Sequence, residues 1–263
     1  EKDKLLSNAC GCPPDGHKPV NGKCEPVCLG GKIWNAALKQ CECPEGATLV
    51  EGKCQCPLGQ IVVDKKCGCP ADQTLTAEGK CACADKDKVP TITEKCEPKD
   101  SKKGRSLTFE EMETAKKIFG DKIDYRKVKL ITTGKGNPHT SGDTIYFPGY
   151  QSNQSFDQAA LMHEITHVYQ SENYKWWEYY PEKAADWFNG LTVSKYLFGT
   201  DPYAHELIYG KSFYDYGLDQ QATIIWEYYY EQRYPGAGIG PRDLTEEEKN
   251  IIRDMLQKAG LLQ

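Results

Sequence analysis

Leu161-Met162-His163-Glu164-Ile165-Thr166-His167-Val168-Tyr169-Gln170 is the stretch that decides how the chain reads. It contains His-Glu-x-x-His. On a helix, His163 and His167 leave the same face one turn apart. Two imidazoles so placed suit one tetrahedral zinc ion, and Glu164 beside the first can take a proton from a water that the metal activates. The flanks predict the helix. Ser155-Phe156-Asp157-Gln158 reads as a capping box at its start, and Ala159, Ala160, Met162, Ile165 and Val168 supply apolar positions. Neither Pro nor Gly interrupts Phe156 to Glu172. A buried helix with two hydrogen-bonded histidines is the plainer alternative, but it leaves the Glu between them unexplained.

A catalytic zinc needs a third protein ligand and one open position. The longer motif with a third histidine is excluded, because Gln170 stands where Gly is required and Asn173 where His is required. Two carboxylates remain. Glu182 with Asp186 forms Glu-x-x-x-Asp, which looks like the second motif of thermolysin-type enzymes, where the Glu binds zinc and the Asp orients a ligand histidine. Asp219 opens Asp-Gln-Gln-Ala. Either carboxylate could instead be a first-turn charge favoured by the helix dipole. Ligand chemistry and motif shape favour Glu182, with Asp219 kept open. For a donor to the oxyanion of hydrolysis, His205, Tyr214 and Tyr216 are candidates, with His139 behind them.

Three runs taken together, Ser141 to Tyr150, His163 to Gln170 and Tyr216 to Ala222, resemble a bacterial family of zincin-like metallopeptidases found in secreted, toxin-like and secretion-system-associated proteins. The resemblance spans roughly residues 107–235. It implies an α+β zincin-like metallopeptidase domain with a small twisted sheet, an active-site helix and a later helix bearing the third ligand. The substrates of that family are mostly undefined; one catalytic Zn2+ and a protein or peptide substrate are what the His-Glu-x-x-His mechanism leads one to expect. The family carries glutamate where this chain has Asp219, a departure of one methylene.

Before this domain the sequence changes character. All 13 cysteines lie between Cys10 and Cys96. Cys12–Cys24, Cys28–Cys41, Cys43–Cys54, Cys56–Cys67, Cys69–Cys81 and Cys83–Cys96 bracket loops of similar length, and Cys10 is left over. Units this short bury no core, so covalent staples must replace burial. Pairing within each unit makes a string of hairpins, each closure worth about 3 kcal/mol in the chain-entropy picture; exchange of partners between neighbouring units is the alternative. Metal binding through Cys-x-Cys pairs is disfavoured, since Cys-x2-Cys spacing is missing and His17 is the only histidine before residue 98.

The sequence thus divides into a disulfide-rich repeat arm with little regular secondary structure (1–97), a polar linker (98–106) and a metallopeptidase domain (107–263). Within the last, Thr108-Phe109-Glu110-Glu111 predicts a capped helix to Phe119, ended by Gly120. Tyr125 to Thr133 reads as a strand, and Thr144 to Phe147 as a strand along the cleft that an extended substrate could join. Helices are expected from Pro181 to about Leu197, from Asp219 to Arg233 and from Thr245 to Ala259.

A net charge of -5 with no basic, aromatic-interleaved patch argues against nucleic acid. No run of 18 apolar residues exists, so no membrane span is expected. Cysteine usage implies export with removal of a signal, to a secreted, extracellular or periplasmic setting. The arm would serve as a stalk or spacer, or engage a cell-surface partner. The function expected is a secreted zinc endopeptidase with Glu164 as general base. The alternatives are a non-catalytic adhesion module that holds metal, and a toxin-like effector with one narrow protein target.

Overall fold

A computed structural model describes residues 17–20, 23–174, 204–235 and 243–262. The chain forms two compact units, one of Glu1–Asp85 with Glu94–Cys96, the other of Lys86–Thr93 with Glu97–Gln263.

The first unit, the arm, is built from antiparallel strand pairs. These are β1 (His17–Val20) with β2 (Lys23–Pro26), β3 (Ile33–Asn35) with β4 (Gln40–Glu42), and β5 (Thr48–Val50) with β6 (Lys53–Gln55). Next come β7 (Ile61–Val63) with β8 (Lys66–Gly68), and β9 (Gln73–Leu75) with β10 (Cys81–Cys83). The expectation of little regular structure therefore understates the arm, although each strand is only three or four residues long. Two-residue turns set the register. Glu51-Gly52 and Asp64-Lys65 both have positive φ at each position, the conformation whose twist matches the strands it joins. Five disulfides close the units as Cys28–Cys41, Cys43–Cys54, Cys56–Cys67, Cys69–Cys81 and Cys83–Cys96. Cys10 and Cys12 lie outside the described residues.

Successive hairpins also hold one another. The Cys54 N–H donates to Gly30 O at 2.7 Å, and the Cys67 N–H donates to Glu45 O at 2.7 Å. Further along, the Asp72 carboxylate accepts from the Cys96 N–H at 2.7 Å, a side chain replacing the backbone acceptor. This close approach needs glycine at position 30, where a Cβ would sit 2.5 Å from Gly52 O. Apolar side chains contribute little to the arm, since Leu49 is 58%, Val62 50% and Leu75 59% exposed.

The second unit has a conventional core and an α+β order. Strands β11 (Lys88–Pro90) and β12 (Cys96–Pro98) pair where the chain passes into it. Then come α1 (Phe109–Phe119), β13 (Lys129–Ile131), β14 (His139–Ser141), β15 (Thr144–Tyr146) and α2 (Ser155–Asn173). A 3-10 turn (Phe213–Asp215), α3 (Leu218–Arg233) and α4 (Glu246–Lys258) follow. The capping boxes at Thr108/Glu111 and Thr245/Glu248 are both formed. The sheet order is β13-β15-β14, with β13 parallel and β14 antiparallel to β15. The strand expected to receive a substrate is thus central, and β13 and β14 are the outer strands, β13 bridged at Leu130 by Arg105. Helix α2 is buried without a break from Ala159 to Gln170 and packs on α3 and β14.

Three local expectations need correction. Ser155 is the first helical residue of α2, not its cap. Gln154 holds the cap position without a side-chain bond, and Asp157 instead accepts from the Gln151 N–H at 2.7 Å. The strand near residue 130 is short because hydrogen bonds from Tyr125 to Ile123 and from Lys127 to Asp124 turn the chain first. Nor is 98–106 a free linker at its end. Arg105 exchanges backbone hydrogen bonds with Leu130, and its guanidinium grips both Glu111 carboxylate oxygens, at 2.8 and 2.7 Å. Burial pushes the Glu111 carboxyl up, but the Arg105 hydrogen bonds and charge outweigh it and hold the group below the usual carboxylate range.

Candidate metal centre

Helix α2 presents His163 and His167 from consecutive turns, with ring centroids 5.0 Å apart and planes at 85°. Helix α3 starts after Gly217, which places Asp219 in its first turn. A carboxylate there is favoured by the dipole, but this one is also aimed, with Oδ1 3.0 Å from His167 Nε2. One ligand atom from each of His163, His167 and Asp219 lies within 4.8 Å of the others, and all three residues are buried. The sequence-predicted pair and one of the two carboxylates are therefore brought together. Glu182 lies outside the described residues.

Glu164 is buried beside them. The Thr140 hydroxyl on β14 donates to its Oε2 at 2.7 Å and lies 3.1 Å from its backbone oxygen. The Glu164 carboxylate is thus oriented by the sheet edge. Trp226, on α3, sets its ring edgewise to His163 at 5.8 Å and to Phe156 at 5.1 Å. This apolar wall limits water at the imidazole, which strengthens electrostatic interactions there.

His167 makes a further contact. Its Nδ1 is 2.7 Å from Gln170 Oε1, and Gln170 Nε2 is 3.0 Å from both Leu218 O and Gln221 Oε1. Sequence reading used Gln170 only to exclude a longer motif. Its position three residues after His167 was the signal that could have shown it as a hydrogen-bond partner. Thr140 and Gln221 reach the centre from other elements and leave no such local trace.

The proposed oxyanion donors are otherwise engaged. His205 Nε2 is 3.1 Å from Glu227 Oε2, both side chains almost fully buried. Tyr216 donates its hydroxyl to Glu206 O at 3.0 Å. Tyr214 donates to Ala259 O at 3.1 Å. His139 stacks on Tyr146 with centroids 4.7 Å apart. None of them joins the His163/His167/Asp219 group.

Two imidazoles and a carboxylate, all buried and convergent, form a donor set that suits zinc. The chain resembles part of a secretion-system protein. It is 31% identical over 153 residues to the type VI secretion system spike protein VgrG2b of Pseudomonas aeruginosa, a match covering 51% of this chain and 14% of that protein. The chain thus spans a small part of the length of VgrG2b. Among solved structures, the effector domain of Pseudomonas aeruginosa VgrG2b is 25% identical with a TM-score of 0.43, covering 62% of this chain and 87% of that one. No protein-family model matches the chain. The resemblance to a zincin-like metallopeptidase family is therefore overturned in favour of similarity to VgrG2b. The physical reason lies in the motif. Helical geometry alone dictates the spacing of two metal-binding histidines, so the pattern carries chemistry more surely than ancestry.

Proposed function

We propose that the chain is a toxin-like effector that hydrolyses peptide bonds in a protein target, using one zinc ion held by His163, His167 and Asp219. The convergence of those three ligand atoms within 4.8 Å carries the reading. The similarity to a type VI secretion system spike protein supports the effector context. The five disulfides fit a workplace outside the reducing cytoplasm.

His163, His167 and Asp219 would hold the zinc ion, which would supply Lewis-acid polarisation of the scissile carbonyl and a water of pKa about 7. The remaining work belongs to side chains. Glu164, oriented by Thr140, accepts the proton of the attacking water and returns it to the leaving amine. The edge of β14 offers backbone groups to an extended substrate beside that carboxylate. Trp226 and the buried face of α2 keep bulk water from the ligand histidines.

Metal analysis with a Glu164→Gln variant tests this. Wild type and variant are each expected to hold one zinc per chain. Cleavage of a peptide library, and toxicity on export to a bacterial periplasm, should fall in the variant by about 10²–10⁴-fold. A zinc-loaded wild type inert toward peptides, with toxicity unchanged by the substitution, would replace this reading with that of a non-catalytic binding module.

A further inference from the structure

The geometry points to Gln170 as the positioning residue that fixes which nitrogen of His167 faces the metal, an inference that rests on the metal-site reading above. The assignment starts from groups that can only accept. One terminal atom of the Gln170 amide is 3.0 Å from the Leu218 carbonyl oxygen, so that atom must be the nitrogen. The other terminal atom is then the oxygen, and it lies 2.7 Å from His167 Nδ1. An amide oxygen only accepts, so Nδ1 carries the hydrogen. In the neutral ring the lone pair then sits on Nε2, the atom 3.0 Å from Asp219 Oδ1. A lone pair and a carboxylate oxygen so close both seek positive charge, which a metal cation supplies.

A second amide closes the chain of deduction. Gln221 Nε2 is 2.7 Å from the Tyr216 carbonyl oxygen, so Gln221 turns its oxygen toward Gln170 Nε2 at 3.0 Å and the Tyr174 hydroxyl at 2.6 Å. Two backbone carbonyls thereby dictate both amide orientations and, through them, the imidazole tautomer. Gln170 and Gln221 are buried, so water cannot easily take either place. Gln170 also grips the first turn of α3 at Leu218, the residue before Asp219. One side chain therefore sets the ring of one ligand and the backbone beside another.

The test uses the full chain as wild type, Gln170→Met and Gln170→Glu. Zinc affinity is read by competition with a chelating dye, and the His167 ring by long-range nitrogen-15 NMR. Zinc-loaded wild type should show His167 protonated at Nδ1 and coordinated through Nε2. Gln170→Met should bind zinc about 10–100-fold more weakly. Gln170→Glu keeps an acceptor at His167 but sets a second oxygen against Leu218 O and Gln221 Oε1. It should therefore keep Nδ1 protonated in the NMR spectrum without restoring full zinc affinity, whereas loss of the Nδ1 proton would overturn the proposal. Equal zinc affinity in Gln170→Met and wild type would remove the role of Gln170 and leave the metal site standing. Wild type that takes up no zinc would remove both. Should Gln170→Met fail to fold, the wild-type spectrum decides alone, since coordination through Nδ1 overturns the proposal.

Discussion

In the arm, Leu49, Val62 and Leu75 face solvent and five disulfides hold the hairpins; in the second unit there is no cysteine, and Leu107, Val128, Leu130, Ile145 and Ile165 are fully buried. The first closes many small loops covalently, while the second removes apolar surface from water. Hairpins of three-residue strands have too little interior to do otherwise. Only the second can carry a buried polar centre, because polar side chains such as His163 and His167 need a dry, close-packed surround to hold their positions.

The contrast can be broken in stages. The largest effect is expected from reductant. Removing five closures, each worth about 3 kcal/mol, should collapse the amide dispersion of the arm while leaving the thermal midpoint of the second unit unchanged; a joint loss would show that the units do not fold by separate means. Next is Arg105→Met, which strands a buried Glu111 carboxylate. It should destabilise the second unit by about 3–5 kcal/mol, and Arg105→Met with Glu111→Met should recover much of this in denaturant titrations.

Acid should act on the same pair. The Glu111 carboxyl is held below its ordinary range, so its contribution is complete above the unfolded value of about 4.3 and is lost as pH falls through the folded one. Thermal midpoints measured downward from pH 5 should therefore drop for wild type and change less for the doubly substituted chain.

Smaller still is replacement of Cys43 and Cys54 by Ser, expected to cost about 3 kcal/mol within the arm and nothing in peptide cleavage. Last is Thr140→Val, which frees the Glu164 carboxylate from one charge-assisted bond. If Glu164 acts as proposed, a fall in kcat/KM of about tenfold with zinc content unchanged is expected, whereas an unaltered rate would show that the Thr140 bond does not orient it for the reaction.

What could be read beforehand depends on how far apart the deciding residues lie. The spacing of His163 and His167, the Thr108 and Thr245 capping boxes and the pairing of cysteines 11 to 13 residues apart are short-range patterns, and they appear in the structure, with five of the six cysteine pairs among the described residues. The α2 cap falls at Gln154, one residue before the one the pattern suggests, and Asp157 accepts from the Gln151 N–H in the turn ahead of the helix. Spacing leaves Asp219 and Glu182 both open; the approach of Asp219 to His167 depends on how α3 packs on α2, and Glu182 lies outside the described residues. Thr140, Gln221 and the Arg105 anchor are long-range partners, visible only once the sheet and helices are assembled. A lone histidine carries no sign of its partner in the sequence, so the contact of His205 with Glu227, 22 residues later, appears only in the structure.

The hairpin-to-hairpin bond of the arm has one more implication. Because the closing half-cystine of one unit leans on the turn of the unit before it, as Cys54 does on Gly30 and Cys67 on Glu45, a duplicated segment inserts with donor and acceptor both supplied. Such a series can gain or lose whole repeats with the backbone bonding between neighbours kept at every step.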